Sequence, residues 1–156
     1  MKRAACPALV ALLVLGSSAL AAPRGSADVV KAAPAAKVVT AAPGARVSFT
    51  ITVDIAATWH LYAHGDTNFI GIDLVPAEDF PLSEFAAEYP EGHLGEFFGE
   101  QVRMLEGANV IKASALVPAG MTGEQPLELG LTVQACDTKT CLAPATVPVA
   151  LTLKVE

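Results

Sequence analysis

Aromatic residues are scarce in this chain, 6% of its 156 positions, so aliphatic side chains must fill most of its interior. Charge is scarce too: 17% of residues are charged, with 10 basic against 16 acidic. A formal net charge of −6 supplies no basic surface for a phosphate backbone or for anionic lipid, so no nucleic acid is expected among the partners. Beyond the first two dozen positions no apolar run reaches the roughly 18 residues that a helix needs to cross a bilayer, so no membrane span is expected in the mature chain. Cysteine is limited to three residues. What is present, 53% hydrophobic residues in a chain of this length, fits one domain and not two.

The chain opens with a positive head, Met1-Lys2-Arg3, followed by an apolar stretch from Ala4 to Leu15 and then by small residues ending in Ala19-Leu20-Ala21-Ala22. This is the layout of a secretory signal, expected over residues 1–21 with cleavage near Ala21. Cys6 falls at the start of the apolar stretch, not after it as a lipoprotein cysteine would, and is expected to be removed. Loss of Lys2 and Arg3 takes the formal charge from −6 to −8. It leaves two cysteines, Cys136 and Cys141, in an exported protein, where a close pair becomes joined unless something reduces it.

Residues 22–36 are rich in Ala and Pro and read as a linker, with an edge strand beginning at 38–40. The pattern then changes. Val47, Phe49, Ile51, Val53 and Ile55 alternate with Ser48, Thr50, Thr52 and Asp54, the period of a half-buried strand. The same period recurs at Leu127, Leu129, Leu131, Val133 and Ala135, and again at Val147, Val149, Leu151, Leu153 and Val155. Weaker strands are expected over 59–63, 70–75, 102–105 and 110–117, separated by turn-rich stretches. A helix is expected only over 83–89, where Ser83 could cap and Pro90 would stop it. About seven short strands, each with one apolar face, predict an all-β immunoglobulin-like antiparallel sandwich over 37–156, with Trp59 near the place of a core tryptophan.

Cys136 and Cys141 form a C-x4-C pair between two strongly alternating strands. A bridge there closes a loop of about six residues and is worth only ~2 kcal/mol in chain entropy, a weak staple. A metal site would need more soft ligands than two thiolates, and His60 and His64, if on one strand, would be ~13 Å apart, so no metal is expected. His60, His64 and His93 read as surface histidines. Two readings of the pair remain: a local clamp on an exposed turn, or a site of thiol-disulfide exchange. No helix N-terminus activates the thiols, Asp137 opposes a thiolate and Lys139 favours one weakly, which suits a carrier whose partner assists the exchange.

Gln134-Ala135-Cys136 followed by Cys141-Leu142-Ala143-Pro144, together with Trp59-His60-Leu61-Tyr62 and Glu96-Phe97-Phe98-Gly99, resembles the N-terminal periplasmic domain of the thiol:disulfide interchange protein DsbD, over most of the chain from residue 38 to 155. The resemblance implies an immunoglobulin-like domain that passes reducing equivalents. It implies a cap loop, Glu96, Phe97, Phe98 and Gly99, with Phe97 shielding the sulfurs. It implies that Cys141 forms the mixed disulfide with a partner, that Cys136 resolves it, and that Tyr62 and Glu96 lie near the sulfurs. The family's longer members continue into a membrane-embedded domain and a thioredoxin-like domain. The chain ends at Glu156, so electrons are expected from a membrane-linked donor in trans and are relayed to periplasmic thioredoxin-like proteins. No cofactor is expected. The alternative is a non-catalytic immunoglobulin-like binding module whose disulfide braces a hairpin.

Overall fold

The computed structural model describes residues 25–156. The expected signal segment, with Cys6, and the first residues of the expected linker lie outside the described residues. A short 3-10 turn at Ser26–Asp28 leads into eleven strands: β1 Val30–Pro34, β2 Val38–Ala41, β3 Arg46–Ile55, β4 Leu61–Tyr62, β5 Asp73–Pro76, β6 Ser83–Glu88, β7 His93–Phe97, β8 Glu100–Leu105, β9 Ala108–Leu116, β10 Gly123–Val133 and β11 Ala145–Val155. They form three sheets, in the orders β1-β3-β9-β6, β2-β11-β10-β5 and β4-β8-β7. All neighbours are antiparallel except the pair β2 and β11. The first two sheets are the layers of an immunoglobulin-like sandwich. Among the described residues no helix is long and apolar enough to cross a membrane.

The three strongly alternating segments become the long strands β3, β10 and β11, and their period of two decides what lies between the layers. Ile51, Leu127, Leu131 and Leu153 are fully buried, together with Ile111 of β9. Each such side chain contributes about 1.5–3 kcal/mol of transfer free energy. The register holds Ile51 opposite Ile111 and Leu127 opposite Leu151, so the apolar faces of paired strands coincide.

Three expectations are corrected. The segment expected as a helix over 83–89 instead forms strand β6 over Ser83–Glu88: the bare edge of β9 offers a hydrogen-bond ladder, and Phe85 and Ala87, two apart, turn toward the core. A bulge between Ser83 and Ala86 and a left-handed Glu84 (φ 49°) fit the segment to that edge. The linker expected over 22–36 is folded in its second half, because Val30 and Ala32 alternate inward and β1 pairs with β3 along its whole length. The composition of Ala and Pro concealed a strand of period two. Trp59, finally, is half-buried and packs at the margin of the core, since it closes a turn in which its N–H donates to the Ala56 carbonyl (3.2 Å).

Candidate functional site: a disulfide beneath an aromatic cap

Alternation beyond the end of β10 sets the site. Leu131, Val133 and Ala135 face the main core, so Cys136, one step out of phase, faces the outside of the sandwich. The same occurs at β4, where Leu61 enters the core and His60 and Tyr62 point to the opposite side. His60 and Cys136 exchange both backbone hydrogen bonds (His60 N–H to the Cys136 carbonyl, 2.9 Å; Cys136 N–H to the His60 carbonyl, 3.0 Å). The residues that leave the core at these two points therefore share one outer patch.

The third sheet covers that patch. The β7–β8 hairpin lays Phe97, Val102 and Met104 over Tyr62, Cys136 and Cys141 in a second cluster, separate from the main core. Phe97 is its hub: it is 5% exposed, and its ring centroid lies 5.2 Å from His60, 5.9 Å from Tyr62, 5.4 Å from Phe69 and 4.4 Å from Phe98. Phe69 stacks on Tyr62 at 4.4 Å. Gly95, in β7, leaves room for the Met104 methyl group, which a Cβ there would displace.

The segment expected as a cap loop is the tip of this hairpin. Phe97 pairs with Glu100, and the two residues between them, Phe98 and Gly99, both have positive φ (50° and 83°), the signature of a tight hairpin turn. A left-handed aromatic residue is held at a cost of about 1–2 kcal/mol. Phe98 is nonetheless 73% exposed, so of the adjacent pair one ring is inside and the other outside. Glu96 is exposed, and strand alternation directs it to the face opposite Phe97, away from the sulfurs that the resemblance places beside it.

Cys136 and Cys141 are joined. Cys136 is fully buried, whereas Cys141 is partly exposed. The turn between them is ordered by its own hydrogen bonds. The Asp137 carboxylate accepts from the N–H groups of Lys139 (2.8 Å) and Thr140 (2.7 Å), and the Asp137 N–H donates to the Thr140 carbonyl (2.8 Å). Those N–H groups hold the Asp137 carboxyl below the usual carboxylate range. Outside the turn, the Leu142 N–H donates to the Ala135 carbonyl (2.8 Å).

Two residues of the site were not legible as such. His60, expected at the surface, is 6% exposed. Its Nε2 lies 3.3 Å from the Tyr62 hydroxyl, and the signal that could have found it is its spacing of two from Tyr62. Burial lowers its pKa against the smaller raising effects of the Glu106 and Asp137 carboxylates, with His93 also lowering it. Burial, with help from the Asp66 carboxylate, raises the Tyr62 phenol. The second is Ser26, fully buried in the segment expected as linker. Its Oγ accepts from the Ala135 N–H (2.9 Å) and donates to the Ala143 carbonyl (2.8 Å), fastening both ends of the cysteine loop. His64 and His93 are exposed as expected. Among the described residues no three His, Cys, Asp or Glu side chains converge as metal ligands.

The sequence profile of the family described as "Thiol:disulfide interchange protein DsbD, N-terminal" matches residues 26–153. The chain belongs to the DsbD N-terminal family. The match begins at Ser26, the residue that fastens the cysteine loop, and runs from there into β11. Among solved structures, the N-terminal periplasmic domain of ScsB from Proteus mirabilis has a TM-score of 0.55 at 14% identity over 80% of this chain and 44% of that one. The chain thus spans less than half of that domain, and the likeness speaks for the fold. A family 123 glycoside hydrolase from Clostridium perfringens is more distant, with a TM-score of 0.40 at 6% identity over 82% of this chain and 28% of that one. No curated protein matches the chain significantly. As a DsbD N-terminal domain it is a thiol-disulfide interchange domain in which Cys136 and Cys141 are bridged.

Proposed function

We propose that the domain is an electron carrier in the periplasm, exported by the signal over residues 1–21, that takes two electrons from a membrane-linked donor and delivers them to thioredoxin-like proteins. The observation that carries this reading is the asymmetry of the pair, with Cys136 sealed beneath Phe97 and Cys141 partly open.

In delivery, the Cys141 thiolate attacks the partner's disulfide, one partner sulfur leaves as a thiolate, and a mixed disulfide forms. Cys136 then attacks Cys141 Sγ, the Cys136–Cys141 bond forms, and the second partner sulfur leaves. The pair is oxidised and the partner reduced by two electrons. Reloading runs the same steps in reverse, with the donor's thiolate attacking Cys141 Sγ. Because the Asp137 turn and the Ser26 fastening hold the loop by themselves, opening the bridge need not unfold it. Phe97 is the lid: closed, it keeps small thiols and oxidants from the sulfurs; lifted with the hairpin tip, it admits a protein partner.

The direct test uses Cys136→Ser in the reduced state with an oxidised thioredoxin-like protein. Accumulation of a mixed disulfide through Cys141 is expected, and Cys141→Ser should trap none. If neither variant traps a partner and the wild-type bridge resists reduced thioredoxin-like proteins, the bridge is a structural brace and the relay is wrong.

A further inference from the structure

The relay as described needs a thiolate on Cys136, and among the described residues no ion pair places a cation on the cysteine loop. What does stand beside Cys136 is a buried imidazole. We propose that His60 takes the proton of the Cys136 thiol as that sulfur attacks Cys141, and returns it when the bridge is reopened. This deepens the relay reading and rests on it.

Register makes the first argument. His60 and Cys136 form a hydrogen-bonded antiparallel pair, with N···O distances of 2.9 and 3.0 Å. Partners in such a pair project side chains to the same face with Cβ atoms about 5 Å apart. The second is enclosure. Phe97 and Tyr62 both meet the His60 ring edge-on, at 5.2 and 5.4 Å, so solvent does not compete for the thiol proton while the cap is closed. The third is the polar surroundings. The Nε2 side of the ring is engaged by the Tyr62 hydroxyl at 3.3 Å, and in the tautomer whose Nε2–H donates to that oxygen, Nδ1 is the acceptor nitrogen. The other titratable groups facing the imidazole are Asp137 on the cysteine loop, Glu106 in the turn after β8 and His93 on β7. Asp137 is committed to backbone N–H groups and Glu106 lies 3.8 Å from His93, which leaves His60 as the base beside the sulfur. Its lowered pKa keeps the imidazole neutral, the form that accepts a proton, at neutral pH.

The step balances. The Cys136 proton passes to the imidazole, the Cys136 electron pair forms the bond to Cys141 Sγ, and the pair of the mixed disulfide leaves with the partner sulfur. That sulfur is protonated from the imidazolium or from water.

The test is the reaction of the reduced domain with 5,5′-dithiobis(2-nitrobenzoic acid), followed by stopped flow from about pH 5 to about pH 9, the span of the imidazole and thiol titrations. The first thionitrobenzoate marks formation of the mixed disulfide, the second marks attack by Cys136. For the wild type the second step should level off above the His60 titration. For His60→Gln it should rise about tenfold per pH unit with the thiolate fraction, and be at least roughly tenfold slower at neutral pH. Equal rates and profiles in the two proteins overturn the proposal. Should the variant fold poorly, the wild type decides alone: a second step that climbs with thiolate fraction, with no plateau, overturns it. Exchange with the reagent but with no thioredoxin-like protein would sink the relay and leave the role of His60 standing.

Discussion

The molecule has two buried clusters of different make. The main core is almost wholly aliphatic, built from the coincident faces of β3, β9, β10 and β11, and Phe49 is its one fully enclosed ring. The second, beneath the β7–β8 hairpin, is made of rings and sulfur: Tyr62, Phe97, Phe69 and the two cysteines, with Val102 and Met104. An aliphatic core spread over four long strands is close-packed and opens only with the whole fold. An aromatic cluster under one hairpin with a two-residue tip can part locally. Rings also pack at the margin of the main core, at Trp59, Phe80, Phe85 and Tyr89, but only in the second cluster do they stand against the sulfurs.

The contrast is broken most severely by a cavity in the main core. Leu131→Ala should cost about 2–5 kcal/mol in urea unfolding of the oxidised protein, and should leave the rate of bridge reduction by dithiothreitol unchanged while the protein is folded. A change in that rate would mean that the clusters are coupled. Ser26→Ala should cost about 1–3 kcal/mol, because it leaves the buried Ala135 N–H unpartnered and removes the hydroxyl donor to the Ala143 carbonyl; a melting curve overlaying that of the wild type would contradict the fastening. Phe97→Leu keeps apolar bulk but loses four ring contacts. It should lower stability by about 1 kcal/mol and speed reduction by dithiothreitol about tenfold, the factor that 1.4 kcal/mol of cap opening represents.

A smaller effect concerns pH. The His60 pKa is lowered in the folded state from its ordinary 6.5, so the unfolded chain binds more protons below that pH. Stability is therefore full above about 6.5 and is lost as pH falls through the window down to the folded value. Urea midpoints measured across that window should show this slope in the wild type and a flatter one in His60→Gln. The least effect is expected of Phe98→Ala, which removes an exposed ring and should shift the unfolding midpoint by no more than about 0.5 kcal/mol.

Most of the sandwich was legible because period-two alternation in β3, β10 and β11 is a direct imprint of one buried face. The four motifs around Cys136, Tyr62 and Phe97 were legible only through the resemblance to the DsbD N-terminal family, because nothing in their own periodicity says that strand ends far apart in sequence share one outer patch. What escaped notice has a common cause. Strand β6 takes its conformation from the open edge of β9, and β1 from the edge of β3, neither of which is visible in their own residues. His60 reads as a surface histidine until the partner across the ladder is known to be Cys136. Ser26 is a single hydroxyl whose importance lies in two carbonyl and amide groups more than a hundred positions away.

The central claim is that the Cys136–Cys141 bridge opens and closes in the domain's working life. Its reduction potential, measured by equilibration with glutathione or thioredoxin buffers, tests this most directly. The account predicts a value in the range of exchange proteins, between about −120 and −270 mV; a value well below about −300 mV would mark a permanent structural disulfide and contradict it.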